Sequence, residues 1–304
     1  MSDVIVVAVD EASLATAMEE RGLSDAYEAM CEVSRCLAPL AQAGHGLVVT
    51  LAGQRALDEI VARVTVSSGG VDESPLDVCG AQAQGAVAYQ LQQALTSEFK
   101  LRGIEREAAA VMTRVEVDIG DAAFLSPDRP VGGAYTAEEA QGLSASEGWR
   151  MTEHAGVWRR LAACPRPRRI VDIGAIRALM GAGFVVLAGS GGGVPVVLDE
   201  RGWYMGSAAV LDEALTASLL ARELGASTLM LTCADAETAQ GVAALSLDAL
   251  RQRRKDRTLE GLSPARAQAI EAFLAGGGRQ VVIAGLSRLE EALGDAGVGR
   301  RFVG

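Results

Sequence analysis

Val4-Ile5-Val6-Val7-Ala8-Val9 holds six apolar residues with no polar one between them. A strand with one wet face alternates, whereas a strand buried on both faces does not. The run therefore belongs in the middle of a parallel sheet with helices on both sides. Leu47-Val48-Val49-Thr50-Leu51, Phe184-Val185-Val186-Leu187-Ala188, Thr228-Leu229-Met230-Leu231 and residues 280–284 repeat the signal, and a further strand is read over 108–117. Helical patterns lie between them. Tyr27, Met30, Val33, Leu37 and Leu40 share one face, with Ser24 as N-cap and Gly44 as stop. Others are read up to about Arg63 and over 77–100, 173–181, 212–224, 264–275 and 287–293. Such alternation of β and α units predicts a mostly parallel sheet covered on both faces.

The rhythm breaks over 118–169. Four prolines (127, 130, 165, 167), several glycines, Trp149 and Trp158 mark an excursion from the main sheet, such as a lid packed on itself by its tryptophans. After Ala188 comes Gly189-Ser190-Gly191-Gly192-Gly193. Glycines here either let successive N–H groups form a nest for a phosphate or other anion, or serve as a tight connection between strands. Residues 67–76 read as a loop and Arg251–Arg257 as a solvated helix face.

Composition removes several function classes. A chain of 304 residues that is 49% hydrophobic can bury a sizeable core. The net charge of −11 argues against nucleic acid or an anionic membrane as partner. No apolar stretch reaches membrane-spanning length. Five scattered cysteines suggest reduced thiols in a cytoplasm, and two histidines, His45 and His154, leave little for a zinc site. No metal ligand set is read. His45 is expected at the surface, and His154 packed or exposed within the excursion.

Several segments in register resemble one family. Ser74-Pro75-Leu76-Asp77-Val78-Cys79, with Gln84-Gly85 and Tyr89, is similar to the SPLD-x-C helix of the carbamate kinases, which have the amino acid kinase fold. Val117-Asp118, Asp121, Ala123-Phe124, Pro127 and Arg129-Pro130-Val131-Gly132 resemble that family's VD…D-x-AF…P-T-K-P-I-G stretch. Trp158-Arg159-Arg160, Pro165, Pro167 and Ile170-Val171 resemble its GWRRVV-x-SP-x-P segment, and the glycine cluster with Val194-Pro195-Val196-Val197 its GGGGIPVV. The resemblance runs from about residue 4 to 303. It implies an α/β fold: one three-layer αβα sandwich over 1–304, with a mostly parallel central sheet and 118–169 as a projecting subdomain. It also implies a homodimer and the interconversion of ATP and carbamate with ADP and carbamoyl phosphate, with Mg.

Phosphoryl transfer depends on positioning and positive charge, and here the sequence departs from the family. Where the family's first strand ends in Gly-Gly-Asn, this chain has Asp10-Glu11-Ala12. Where it has His-Gly-Asn-Gly-Pro-Gln, this chain has Leu51-Ala52-Gly53-Gln54-Arg55-Ala56. The insertion lysine is Arg129, Asp-Lys-Asp is Asp212-Glu213-Ala214, and Gly-Ser-Met-x-Pro-Lys is Glu260-Gly261-Leu262-Ser263-Pro264-Ala265. Three readings follow. In the first, the chain is a degenerate carbamate kinase, a pseudokinase that binds a small anionic ligand or a protein partner in carbamoyl-phosphate-related metabolism. Its ligand residues are then Gly189, Ser190, Gly191, Gly192, Gly193, Asp10, Glu11 and Asp212. In the second, it is a working phosphotransferase on ATP and Mg with Arg129, helped by Arg159 or Arg160, as clamp. In the third, Asp10, Glu11 and Glu213 form a repurposed acidic site, with Glu213 as an acid–base group.

Overall fold

Whether the apolar runs pair, and in what order, decides where a site can form. The computed structural model describes residues 3–21, 26–67, 74–234, 244–259, 261–294 and 297–304. The expected cap at Ser24, most of the loop 67–76, and Glu260 lie outside these. The chain runs β1 (Val4–Val9), α1 (Glu11–Arg21), α2 (Ala26–Gln42), β2 (Gly46–Leu51), α3 (Gln54–Ser67), α4 (Leu76–Arg102), β3 (Ala108–Val111) and β4 (Arg114–Glu116). It continues through β5 (Arg129–Tyr135), α5 (Ala137–Glu147), β6 (Met151–His154), β7 (Val157–Ala162), β8 (Arg169–Ile170), α6 (Ile173–Gly181), β9 (Val185–Ala188), β10 (Val194–Leu198) and β11 (Tyr204–Gly206). It closes with α7 (Glu213–Leu224), β12 (Thr228–Cys233), β13 (Leu245–Ser246), α8 (Leu247–Lys255), α9 (Pro264–Ala275), β14 (Gln280–Gly285), α10 (Leu289–Gly294) and β15 (Arg300–Val303).

Eight strands form the central sheet in the order β13-β15-β14-β12-β1-β2-β9-β3. Every pairing in it is parallel except β14 with β15. β1 lies inside the sheet between β2 and β12, as its unbroken apolar sequence requires. Two cores cover the faces. One packs α2 and α4 through Val33, Leu37, Leu91 and Phe99, and the other packs α7 and α9 through Ala217, Leu220, Ile270 and Phe273. The result is the α/β layering expected from the sequence.

The differences have local causes. Tyr27 is 40% exposed, off the face that buries Met30, Val33, Leu37 and Leu40. The strand read over 108–117 is two strands in two sheets. β3 joins β9 of the central sheet, while β4 joins a four-stranded sheet ordered β11-β10-β4-β8. The break is at Thr113, whose N–H is taken by the buried Gln84 Oε1 at 2.6 Å. That hydrogen bond withdraws Thr113 from the β3 ladder and hands the chain to the second sheet.

Residues 129–162 build their own antiparallel sheet, β5-β7-β6, beside α5. A capping box at Thr136 and Glu139 starts α5. Trp149 meets Tyr135 edge to face at 6.3 Å and carries the Arg160 guanidinium 4.1 Å above its ring.

Candidate active site

In open α/β sheets, ligands bind beyond the carboxyl ends of the strands, where the strand order reverses direction. Here that point is at β1, since the chain goes to β2 on one side and later returns as β12 on the other. A cavity of about 370 Å³ lies there, lined by Asp10, Thr50, Gln54, Arg129, Arg159, Asp212, Glu213 and Arg266 together with apolar strand ends.

Asp10 follows β1 directly. Its Oδ1 accepts the Ser13 N–H at 2.9 Å and so caps α1, while its Oδ2 is 2.5 Å from Arg266 Nη2. Arg266 is in the first turn of α9, which Ser263 caps, and it also donates to Thr232 O. Asp212 caps α7 by accepting Ala214 N–H at 3.0 Å and Leu215 N–H at 3.1 Å. Its other oxygen is 3.3 Å from Arg129 Nη2, which comes from β5 and also lies 3.6 Å from Cys164 Sγ. Arg159, from β7, meets Asp58 of α3 at 2.7 Å. Each arginine lining the cavity thus faces an aspartate of the same chain.

Glu213 is the first residue of α7, and its Oε1 accepts the Gly53 N–H at 2.9 Å. Part of the residue is open to the cavity, but protein crowds its carboxyl. Burial pushes the carboxyl up to about 8, the Gly53 N–H opposes this, and Glu11, Asp212 and Asp10 add to it. A helix N-terminus favours a carboxylate by about 1 kcal/mol, too little to offset desolvation of this size.

The glycine loop sits behind the cavity and is not among its lining residues. Gly189, Gly191, Gly192 and Gly193 all have φ between 65° and 86°. Gly189 N–H donates to Thr113 Oγ1, Gly192 N–H to Gly189 O and Gly193 N–H to Ser190 O. The buried Ser190 receives Gln84 Nε2 on its carbonyl at 3.3 Å. These N–H groups are already spent within the fold. The close approaches explain the glycines: a Cβ on Gly192 would lie 2.5 Å from Leu211 O, and one on Gly193 2.6 Å from Val115.

Of the residues singled out from sequence, Asp10, Arg129, Asp212, Glu213 and Arg159 come together at the cavity. Glu11 is close enough to act on Glu213 but does not line the cavity, its Oε1 accepting the backbone N–H of Arg55 at 3.2 Å. Among the described residues no three His, Cys, Asp or Glu are placed to hold a metal ion. Cys79 is fully buried, and His154 is exposed at the end of β6. His45, expected at the surface, is half-buried, with Nδ1 enclosed and unpartnered among the described residues. Sequence reading missed Arg266, Asp58 and Gln54. Arg266 had a signal: a Ser-Pro helix start fixes an arginine two residues on in the first turn.

No family model matches the chain. Individual relatives do. A carbamate kinase of Pyrococcus furiosus is 31% identical over 294 residues, 91% of this chain and 93% of that protein. This chain belongs to the carbamate kinase family. A carbamate kinase-like protein of Escherichia coli K12, YahI, is 35% identical over 236 residues, 76% of this chain and 74% of that one. The structure of a Giardia lamblia carbamate kinase bound to AMP-PNP superposes with a TM-score of 0.89 at 27% identity, covering 99% of this chain and 98% of that one. Against this family background one compositional fact stands out. The chain contains two lysines, Lys100 and Lys255, both exposed at the ends of α4 and α8. Every cation in the carbamate-kinase-like cavity is therefore an arginine, a planar fork that suits paired carboxylates and replaces a compact ammonium poorly.

Proposed function

We propose that this carbamate kinase family member has lost phosphoryl transfer and acts as a binding subunit for a small anionic ligand in carbamoyl-phosphate-related metabolism. The observation that carries the reading is the pairing of Arg266 with Asp10, Arg129 with Asp212 and Arg159 with Asp58. A transferring phosphoryl group needs cations directed at it, and these already face carboxylates. With Glu213 on the cavity floor and the N–H groups of Gly189, Gly192 and Gly193 spent internally, the residues do not fit a nucleotide polyphosphate with Mg. A small anion fits by displacing Asp212 from Arg129, the longest of the three pairs.

The second reading, a working phosphotransferase, is supported by Arg129 and Arg159, which the insertion brings to the cavity wall. The repurposed acidic site is weakened, because Arg266 neutralises Asp10 and Glu11 is outside the cavity lining, accepting the backbone N–H of Arg55. We infer in addition a homodimer. Its support is an exposed apolar run on one flank, with Val78 and Tyr89 on α4 and Met112 after β3 exposed at 41%, 61% and 47%. Light scattering tests it, and a monomer at every concentration refutes it. Among the described residues no helix is long and apolar enough to cross a membrane. A cytoplasmic location is part of the same proposal.

The deciding experiment mixes the protein with carbamoyl phosphate, ADP and Mg²⁺ and assays ATP, with a thermal-shift series on each ligand. The expected result is no ATP, and a shift with carbamoyl phosphate that is lost in Arg129→Ala. ATP formed in proportion to protein, and abolished by Arg129→Ala, overturns the pseudokinase reading in favour of an arginine clamp.

A further inference from the structure

A second cavity lies away from the strand ends, where the insertion returns to the body and α7, α8 and α9 meet. Its volume is about 420 Å³, and Arg166, Arg222, Arg254, Leu219, Glu271 and Ala272 are among the residues that line it. Glu271 is its one carboxylate, 3.0 Å from Arg254 and 3.1 Å from Arg251. The guanidinium groups of Arg166 and Arg222 are exposed, and the carboxylates that feel them, Asp121 and Glu223, lie outside the cleft lining and within no ion-pair distance of them. The lining therefore holds three cations against one anion, on a chain of net charge −11.

The position of Arg222 is built into the backbone. It is in the last turn of α7, and a Cβ on Gly276, which ends α9, would lie 2.8 Å from its Nε. Glycine there makes room for the guanidinium to lie over the end of α9. Leu215, Leu219 and Ala272 provide an apolar floor beneath the arginines.

We propose that this cleft is a second ligand site, for a small organic anion that carries carboxylate or phosphate groups on an apolar body. Arg166 and Arg222 hold the anionic groups, and the floor holds the body. The two sites share their walls. α7 presents Asp212 and Glu213 to the strand-end cavity and Arg222 to the cleft. α9 presents Arg266 to one and Glu271 to the other. Occupancy of the cleft therefore stiffens the helices that carry the three-pair constellation, a coupling that needs no change of shape.

The test uses the full chain, with 8-anilinonaphthalene-1-sulfonate as a fluorescent probe and citrate as competitor. The expected result is saturable probe binding that citrate displaces and that Arg166→Ala and Arg222→Ala each weaken about tenfold, equivalent to about 1.4 kcal/mol. Arg253→Ala, an exposed arginine of α8 outside the cleft, leaves binding unchanged. Hydrogen exchange over residues 212–216 slows when the probe saturates. Equal weakening by Arg253→Ala reduces the effect to general charge and overturns the site, as does failure of citrate to compete. Unchanged exchange over 212–216 overturns the coupling. Arg166 lies outside the helices, so its variant still reports if Arg222→Ala loosens α7.

Discussion

Glu213 Oε1 accepts the Gly53 N–H at 2.9 Å, so the first residue of α7 closes the floor of a cavity whose wall begins at the end of β2. Burial raises this carboxyl from 4.5 to about 8, while the unfolded chain keeps the ordinary value. Between those pH values the native state holds a proton that the unfolded state has released. Stability therefore falls as pH rises through this window, by about 1.4 kcal/mol per pH unit, and the loss is complete above the folded value. Glu213→Gln keeps the acceptor for Gly53 and removes the titration. Urea unfolding of parent and variant from pH 5.5 to 9 should give a difference that grows in the variant's favour and levels off near 8. Parallel curves would place the carboxyl at its ordinary value.

Asp10 acts on Arg266 as an internal anion. Arg266 is 16% exposed and has Thr232 O as its other acceptor, so removing the charge of Asp10 leaves a largely enclosed guanidinium short of a partner. Asp10→Asn retains an acceptor for the α1 cap and should cost about 2 kcal/mol. Pyrophosphate should restore that loss in the variant by binding the released arginine, and should shift the parent's melting temperature little. Equal shifts in parent and variant would mean that Asp10 does not exclude anions from Arg266.

Asp58 ties the insertion to the body. Its carboxylate takes Arg159 Nη2 at 2.7 Å, Gly132 N–H at 2.8 Å and Gln54 Nε2 at 2.9 Å. Gly132, at φ 76°, passes so close to α3 that a Cβ would lie 2.8 Å from Val61 Cγ1. Asp58→Ala removes all three acceptor contacts at this seam. Hydrogen exchange should then accelerate in 129–135 and 157–162 and stay constant in β1 and β12. Uniform acceleration would make Asp58 a residue of global stability rather than of this seam.

The sheet was legible because burial on both faces leaves an unbroken apolar signature, as in Val4–Val9 and Thr228–Cys233, and the helices read over 212–224 and 264–275 match α7 and α9 to within a residue. The split at Thr113 was not, because it depends on Gln84, 29 residues away in sequence. The cavity was half legible. Asp10, Asp212, Glu213 and Arg129 occupy strand and helix ends that the family motifs mark. Asp58 sits on an ordinary helical turn with nothing local to distinguish it from a solvated charge, and the Ser-Pro start that places Arg266 in the first turn of α9 does not name its partner. Pairing across 256 residues, as between Asp10 and Arg266, is a property of the fold and leaves no spacing to read.

The glycine cluster gives the sharpest stability contrast. At Gly192 a side chain meets two penalties: φ is 86°, and its Cβ would lie 2.5 Å from Leu211 O. Leu211 immediately precedes Asp212, so relief of the clash moves the α7 cap and with it the partner of Arg129. Gly202 has φ 81° with nothing within 4 Å of the added atom, so alanine there pays the conformational penalty alone. Gly192→Ala should destabilise by about 3 kcal/mol and Gly202→Ala by about 1 kcal/mol. Denaturant midpoints of the two variants measure the difference. If they match, the loop has room that its contacts deny, and the N–H groups of Gly191 and its neighbours are free to turn toward a ligand.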